Sequence, residues 1–393
     1  MGYIIPKNAY LKNGILRNTM RTLIFDSSVT GHHLEYLHHY YMEAIGHTDE
    51  EYVIMVPNDF IKVKKEYEWP YSSNISFVYI PEEDEKLLEE TNFYKLGWNT
   101  SKILQRAVRK IKPDRVLLTM LMQFIPFIIF LLPRNVRVRG IMYKIYLYEV
   151  HRMGKLRLAA ERLRFWLAAR SSKIEQIFVL NDEDSARTFN TLYSTSKFRS
   201  LPDPVPSVDF SKVKSVREEL GVSPVEKLYL HFGGLDGRKG TIDILKSIIA
   251  SKKGELKDSC FVFAGRINKN TLNDFYDLLS VAKEKTRILV FDQFCSYDFL
   301  WNLCYSCDVI LMPYHLTSLS SGILGYAAVF NKPVIGPDNG LIGNLIKKYE
   351  LGISTQFPLK PEIYNNHIYN SEKGCSLYVI TNSVKKFREE IFS

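Results

Sequence analysis

The sequence predicts an α/β protein: two doubly wound parallel-sheet domains facing across a cleft. Three observations carry that expectation. Beyond residue 225, short apolar runs alternate with amphipathic stretches, the pattern of parallel strands covered by helices on both faces. A looser alternation of the same kind fills residues 22–180. Between the two lies LPDPVPS at residues 201–207, whose three prolines stop helices and stiffen the chain. A chain of 393 residues also suits two domains, at roughly 100–200 residues each.

In order, residues 1–20 are an extension ahead of the first strand, and residues 21–201 the N-terminal domain. Within that domain the pattern predicts strands at 22–26, 52–56, 75–80, 115–119, 136–141 and 177–180, with a helix at 33–45. Residues 202–376 form the C-terminal domain. Its strands are expected at 228–232, 261–264, 287–291, 309–312, 333–335 and 352–354, and helices at 241–251, 272–284, 297–304, 321–330 and 342–349. A C-terminal helix closes the chain in residues 377–393, its clearest pattern at 383–391.

With 46% apolar and 24% charged residues, the chain is neither collagenous nor low-complexity nor largely disordered. Five cysteines (Cys260, Cys295, Cys304, Cys307 and Cys375) keep no framework spacing, against a disulfide-stapled secreted fold. Cys304 and Cys307 have no second pair or nearby His to complete a metal site, so they read as buried helix residues. The N-terminus shows no long apolar run and no cleavage pattern, and Pro6 stands where a myristoylation signal wants Ser or Thr. A cytoplasmic chain is expected.

The charge is uneven. Residues 101–175 hold 17 Lys and Arg against four acids, Asp114, Glu149, Glu161 and Glu175. That block carries +13 of a formal +9, leaving −4 elsewhere. Such a block suits a polyanionic partner, and we expect an anionic membrane surface rather than nucleic acid. No nucleic-acid motif accompanies the charge, and its aromatics make no stacking platform. Inside the block, residues 116–132 run 17 positions without a charge, short of the roughly 20 that span a bilayer and interrupted by Pro126. A buried strand, a turn and a helix account for them. Residues 154–173 follow as an amphipathic helix with Leu156, Ala159, Ala160, Leu163 and Leu167 on one face, Arg157, Arg162 and Arg164 to the sides, and Phe165 and Trp166 near the boundary. That face either packs in the core or docks on lipid.

Three motifs point to anion chemistry. The first strand runs into FDSSVTGHHLEYL, placing Gly31 at a strand-to-helix turn with His32 and His33 beside it, where backbone approaches a ligand and a helix N-terminus favours an anion. It is not Gly-x-Gly-x-x-Gly, so a dinucleotide is not indicated. HFGGLDGRKGTIDIL sets Gly233 and Gly234 after a strand, and Arg238 and Lys239 before a helix, an arrangement for phosphate. Strand 309–312 leads to Thr317, Ser318, Leu319, Ser320, Ser321 and Gly322, whose amides open a helix. A helix dipole contributes only about 0.3–1 kcal/mol per charge, so Arg238 and Lys239 must supply the rest for a diphosphate.

Taken in order, LHFGGLDGRKGTIDIL, FVFAGR, ILVFDQF, CDVILMPY and SSGILGYAAVFNKPVIG resemble the donor-binding half of retaining glycosyltransferases of the GT-B fold, family 4. LPDPV resembles the segment by which such enzymes leave their N-terminal domain, and TGHHLEYL their first strand–helix turn. The resemblance covers about residues 20–355. It implies two Rossmann-like domains, an acceptor-binding one first and a nucleotide-sugar-binding one second. It further implies metal-independent, retaining transfer of a sugar to a carbohydrate or lipid-linked acceptor, as in polysaccharide biosynthesis, with no cofactor beyond the nucleotide-sugar substrate.

By that resemblance Lys239 contacts the donor diphosphate, and Arg238 stands in for an arginine whose usual position is taken by Gly234. Gln293 and Phe294 hold the base, Gly31 lies near the sugar and phosphate, and His32 joins Lys239 and Arg238 as a catalytic candidate. Gly233, Ser318, Ser320, Ser321, Gly322 and Tyr326 complete the donor site. The family's Glu-x7-Glu pair is absent, its positions taken by Ser318 and Tyr326, and Asp338 is the sole acid between Val309 and Tyr349. A non-catalytic GT-B protein that binds a nucleotide or sugar is the alternative this leaves open.

Overall fold

A computed structural model describes residues 19–29, 31–365 and 370–393, and the side chains of His32 and Asn365 are outside that description. The extension expected at residues 1–20 thus falls, but for Thr19 and Met20, outside the described residues.

The chain divides into two units, residues 1–201 with 385–393, and residues 202–384. In the first, seven parallel strands stand in the order β3-β2-β1-β4-β5-β6-β7. They are β1 (Arg21–Phe25), β2 (Glu51–Val56), β3 (Ile75–Tyr79), β4 (Arg115–Leu118), β5 (Arg137–Met142), β6 (Ile174–Leu180) and β7 (Phe198–Leu201). Helix α1 (His32–Ala44) joins β1 to β2, and the short turns α2 (Phe60–Val63) and α3 (Glu82–Glu85) flank β3. Helix α4 (Phe93–Ile111) crosses to β4, and α5 (Phe127–Leu131), α6 (Lys155–Arg170) and α7 (Glu183–Tyr193) link the strands after it. Short apolar strands with their interior positions buried, as in β1 and β2, are what a sheet covered on both faces requires.

The second unit has six parallel strands in the order β10-β9-β8-β11-β12-β13. They are β8 (Lys227–Phe232), β9 (Ser259–Ala264), β10 (Arg287–Phe291), β11 (Val309–Leu311), β12 (Val334–Pro337) and β13 (Gly352–Thr355). Between and after them run α8 (Thr241–Ile249), α9 (Leu272–Ala282), α10 (Tyr297–Ser306), α11 (Gly322–Val329), α12 (Gly340–Lys348) and α13 (Glu372–Thr381). Every residue of β9 is buried. The final helix, α14 (Val384–Phe392), packs in the first unit, where Phe387 is fully buried and stacks on Tyr36 with centroids 5.2 Å apart.

Several elements carry no expectation from the sequence, among them α4, α7 and β7. β7 is four residues at a sheet edge with Arg199 exposed, too short and too polar to announce itself. The ends of α4 and α7 are set by polar caps. Asn92 accepts the N–H groups of Tyr94 and Lys95, and Asp182 that of Ser185. The uncharged run at 116–132 resolves into the end of β4, a turn and α5. No helix among the described residues is long and apolar enough to cross a membrane.

The helix at 154–173 forms, and of the two roles left open for its apolar stripe, packing in the core is not the one it takes. Phe165 is fully buried against Tyr146, Phe189 and Phe198, and Arg164 is 5% exposed. Leu156 and Leu163 point outward. Phe165, Ala168 and Ala169 make the inward face because one large ring and two small side chains let the helix lie close to its neighbours. All five cysteines are buried and free, Cys304 within α10 and Cys307 at its C-terminal cap.

Candidate functional site

In the second unit the chain builds outward from β8 through β9 to β10, then returns to place β11 on the other side of β8. The carboxyl ends of β8 and β11 therefore flank a topological switch point, where open α/β sheets bind ligands. The residues that follow these two strands are Gly233, Gly234 and, across from them, Pro313 and Tyr314.

The loop after β8 is held by its own carboxylate. Asp236 accepts the backbone N–H of Lys239 at 3.1 Å, and Nε and Nη2 of Arg238 at 3.0 and 2.7 Å. The carbonyl of Arg238 takes the N–H of His315 at 2.8 Å, which ties the loop to the segment after β11. Gly240 turns into α8 with φ +67°, and a Cβ there would lie 1.9 Å from the carbonyl oxygen of Pro313, so only glycine permits this approach. Underneath, the fully buried His231 has Nδ1 2.9 Å from the carbonyl oxygen of Leu311 and Nε2 3.0 Å from Thr241 Oγ1. Desolvation pushes that imidazole down to about 4, so it is a neutral strut joining β8, β11 and α8.

Lys239 sits at the centre. Its ammonium lies 5.5 Å from the Tyr314 ring centroid and 3.5 Å from the carbonyl oxygen of Phe232. It occupies the notch beside Gly233, where φ is +95° and an added Cβ would come within 2.5 Å of Nζ. The first turn of α11 is close by, with Ile323 Cδ1 3.9 Å from where a Cβ on Gly233 would stand, and Tyr326 packs edge-on against Phe232 at 5.5 Å. Gly233, Lys239, Ile323 and Tyr326 thus meet at the switch point. Gly234 is exposed, and a Cβ there meets nothing, so the position has room for a long cation but does not supply one. Arg238 is 62% exposed at its side chain and engaged by Asp236.

Ser321 occupies the N-cap of α11 and makes no side-chain cap bond, so the helix begins at Gly322 on backbone alone. Ser320 gives its hydroxyl to Asp203 of the LPDPV segment at 2.6 Å, and Ser318 is 2% exposed. Thr317 bonds Asn339 at 3.0 Å and its carbonyl takes the N–H of Leu341, locking this loop onto α12. Gln293 and Phe294 lie on the same carboxyl rim but beyond the edge strand β10, with Phe294 72% exposed.

The first unit has its own switch point, between β1 and β4. Asp26 at the end of β1 is 2% exposed and accepts the N–H of Ser28 at 3.0 Å and Nδ1 of His33 at 2.9 Å. Across the gap, Gln123 gives Nε2 to Ser27 at 3.0 Å. Gly31, with φ +60°, is the N-cap of α1. The side chain of His32 lies outside the described residues, and it is His33 whose imidazole meets Asp26. Asp26, Gln123, Tyr314 and Asp236 were missed by motif reasoning. Their one sequence signal is position, each within a few residues of a predicted strand's carboxyl end. Among the described residues no cluster of three His, Cys, Asp or Glu could hold a metal ion.

A hollow lined by Arg217, Tyr305, Asp308 and Lys332 opens at the opposite, amino ends of β11 and β12. Its arginine is already paired with Asp308 at 3.0 Å, and the open-sheet rule places no ligand there.

The sequence matches no family model and no curated protein. The fold has many solved counterparts. HepE from Anabaena, in complex with UDP and glucose, superposes with a TM-score of 0.65 at 14% identity, over 95% of this chain and 98% of that one. WaaG, a glycosyltransferase involved in lipopolysaccharide biosynthesis, gives 0.60 at 13% identity, covering 95% of both chains. Sucrose-phosphate synthase from Thermosynechococcus elongatus gives 0.67 at 11%, covering 95% and 97%. At these identities the likeness is one of fold. The chain has the GT-B architecture of two Rossmann-like parallel-sheet units, shared with glycosyltransferases.

Proposed function

We propose that this chain is a glycosyltransferase that moves a sugar from a nucleotide-diphosphate donor to a carbohydrate or lipid-linked acceptor, without a metal and with retention at the anomeric carbon. The observation that carries the reading is Lys239, a lysine held in a glycine notch at the switch point of the second unit. That a structural counterpart, HepE, has been seen with UDP-glucose supports a nucleotide-sugar as the ligand class. The donor would lie on the second unit and the acceptor on the first.

The chemistry follows from charge. As the bond from the anomeric carbon to the β-phosphate oxygen breaks, negative charge gathers on the leaving diphosphate. Lys239 opposes it as a fixed point charge, Arg238 adds a second cation once it swings from Asp236, and the first N–H groups of α11 add dipoles. Cations in these positions do the work a metal does elsewhere. Retention and the metal-free route rest on the resemblance to family 4, and membership of that family is part of the proposal. The cytoplasm is the compartment we assign.

One observation favours a second reading. Ser318 and Tyr326 stand where the family's carboxylates would be, which suits a protein that binds a nucleotide-sugar and does not turn it over. Incubation with UDP-, GDP-, ADP- and CMP-sugars, with release of free nucleotide measured over hours, separates the two. Release from one donor that Lys239→Ala abolishes supports the transferase. Tight binding of one donor with no release supports the binding protein.

A further inference from the structure

A helix covering a sheet ordinarily turns apolar residues inward and charges outward. Helix α6 does part of the reverse. Arg164 is buried and pairs with Glu161 at 2.8 Å, its guanidinium 5.3 Å from the Phe165 ring centre and 5.5 Å from that of Phe93. On the outward side, Leu156 is 89% exposed, Leu163 57% and Trp166 46%. With Ala159 and Ala160, both exposed, these form one stripe at helical spacing.

The neighbouring helices expose aromatic rings as well. Trp98 of α4 packs edge-on against Phe127 of α5 at 5.7 Å, and the Arg164–Phe93 contact joins α6 to the start of α4. Phe93, Tyr94, Trp98 and Phe130 are 44%, 52%, 44% and 70% exposed. A surface with this much exposed aromatic and leucine area is one that something covers.

Charge says what. Helices α4, α5 and α6 carry a single acid, Glu161, and it is tied to Arg164. Arg152, Lys155, Arg157, Arg162 and Arg170 are exposed on or just before α6, beside the apolar stripe. The acidic segment at 82–90 also meets α4, through Arg106 to Asp84, Asn99 to the carbonyl of Leu87, and Glu90, which accepts the N–H of Asn92 at the start of the helix. Leucines that enter acyl chains, tryptophan and tyrosine that sit at headgroup depth, and long cations that reach back to phosphate are what a bilayer interface selects. A second copy of the chain on the same face would set cations against cations with no exposed acid on α4, α5 or α6 between them.

We propose that the outer face of α4, α5 and α6 docks this protein on an anionic lipid bilayer. The contact is reversible and two-part, apolar insertion along Leu156, Leu163 and Trp166 and attraction of the surrounding Lys and Arg to headgroup phosphate. The assignment narrows the basic block at 101–175 to the exposed cations on and beside α6, and adds Phe93, Tyr94 and Trp98 from outside it. It does not depend on what the second unit binds.

The test is co-sedimentation of the full chain with phosphatidylglycerol-containing and with purely zwitterionic phosphatidylcholine vesicles, at low and high salt. The expected result is partition onto the anionic vesicles only, weakening as salt rises, with a blue shift of tryptophan emission that Trp98→Phe/Trp166→Phe removes. Leu156→Ser/Leu163→Ser, at two exposed positions, should cut partition by about tenfold or more with unchanged circular dichroism and unchanged nucleotide binding. Arg157→Glu/Arg162→Glu should act in the same direction. Equal binding to both vesicle types, no binding to either, or wild-type binding by the leucine variant would overturn the proposal. A salt-resistant dimer that the leucine variant dissolves would assign the face to a second copy and overturn it equally. Because nucleotide binding is measured on the same samples, loss of the docking claim leaves the donor reading standing, and the reverse.

Discussion

The ammonium of Lys239 rests 5.5 Å from the centre of the Tyr314 ring, in space that Gly233 leaves empty. Sequence spacing placed the lysine near a glycine turn. The fold makes the two interdependent, because a Cβ at Gly233 would lie 2.5 Å from Nζ. Gly233→Ala should therefore fold, at a cost of about 1–2 kcal/mol for its positive φ, and should displace the ammonium. Its nucleotide affinity should match that of Lys239→Ala, and the double variant should be no weaker than either single one. Isothermal titration of the three variants checks this. Additive losses would show that Gly233 acts by another route.

Arg238 and Lys239 are neighbours in sequence but not in environment. Arg238 is exposed and satisfied by Asp236, whereas Lys239 is half-buried at the switch point. Lys239→Ala should cost about 1.5–3 kcal/mol of donor affinity, a factor of ten or more, as expected for a charge-assisted contact. Arg238→Ala should change affinity by less than about threefold. Arg238 leaves Asp236 only as the bond to the diphosphate breaks, so its loss should show in turnover; comparable affinity losses from the two would mean that it already engages the bound donor.

Ser320 spends its hydroxyl on Asp203, a carboxylate 6% exposed at the start of the second unit. Ser320→Ala should lower stability by roughly 1–2 kcal/mol, measured by urea denaturation, because a buried carboxylate loses a donor. Donor affinity should stay within about threefold. A large loss of affinity at unchanged stability would return the Ser320 side chain to the phosphate.

Acid should weaken both units through buried imidazoles. Desolvation pushes His231 down to about 4, and it pushes His39, packed against Phe387 of the last helix, down to about 4 as well, with Glu35 opposing. Unfolded histidine titrates near 6.5, so the unfolded chain takes up protons first as pH falls. The stability these groups contribute is whole above about pH 6.5 and is lost between about 6.5 and about 4, by roughly 3 kcal/mol at most for each. Denaturation at pH 7, 6, 5 and 4 measures the slope, and His39→Phe should flatten it. A slope unaffected by that change would place the acid sensitivity elsewhere.

Much of this architecture was legible in the chain. The strands of the second unit are near-continuous apolar runs, and a run such as CFVFA admits little else between two helices. The glycine turn with Arg238 and Lys239 was equally plain. What was hidden depends on partners distant in sequence. Nothing local reveals that Ser320 would meet Asp203, 117 positions away, or that Gln123 would meet Ser27. Which side of helix α6 packs inward was hidden for a related reason. Its apolar periodicity names one face, but Phe165 outweighs it, because a single ring fits the aromatic cluster around Phe189 and turns the leucines outward.

The central claim is that the second unit holds a nucleoside diphosphate at Lys239, and thermal unfolding with a ligand panel tests it most directly. The wild-type chain should be stabilised by one among UDP, GDP, ADP and their sugars, by roughly 2.7 kcal/mol at one hundred times the dissociation constant. Lys239→Ala should lose most of that shift while unfolding at an unchanged temperature without ligand. A panel in which no nucleotide raises the transition, or one whose shift survives the loss of Lys239 intact, would contradict the account.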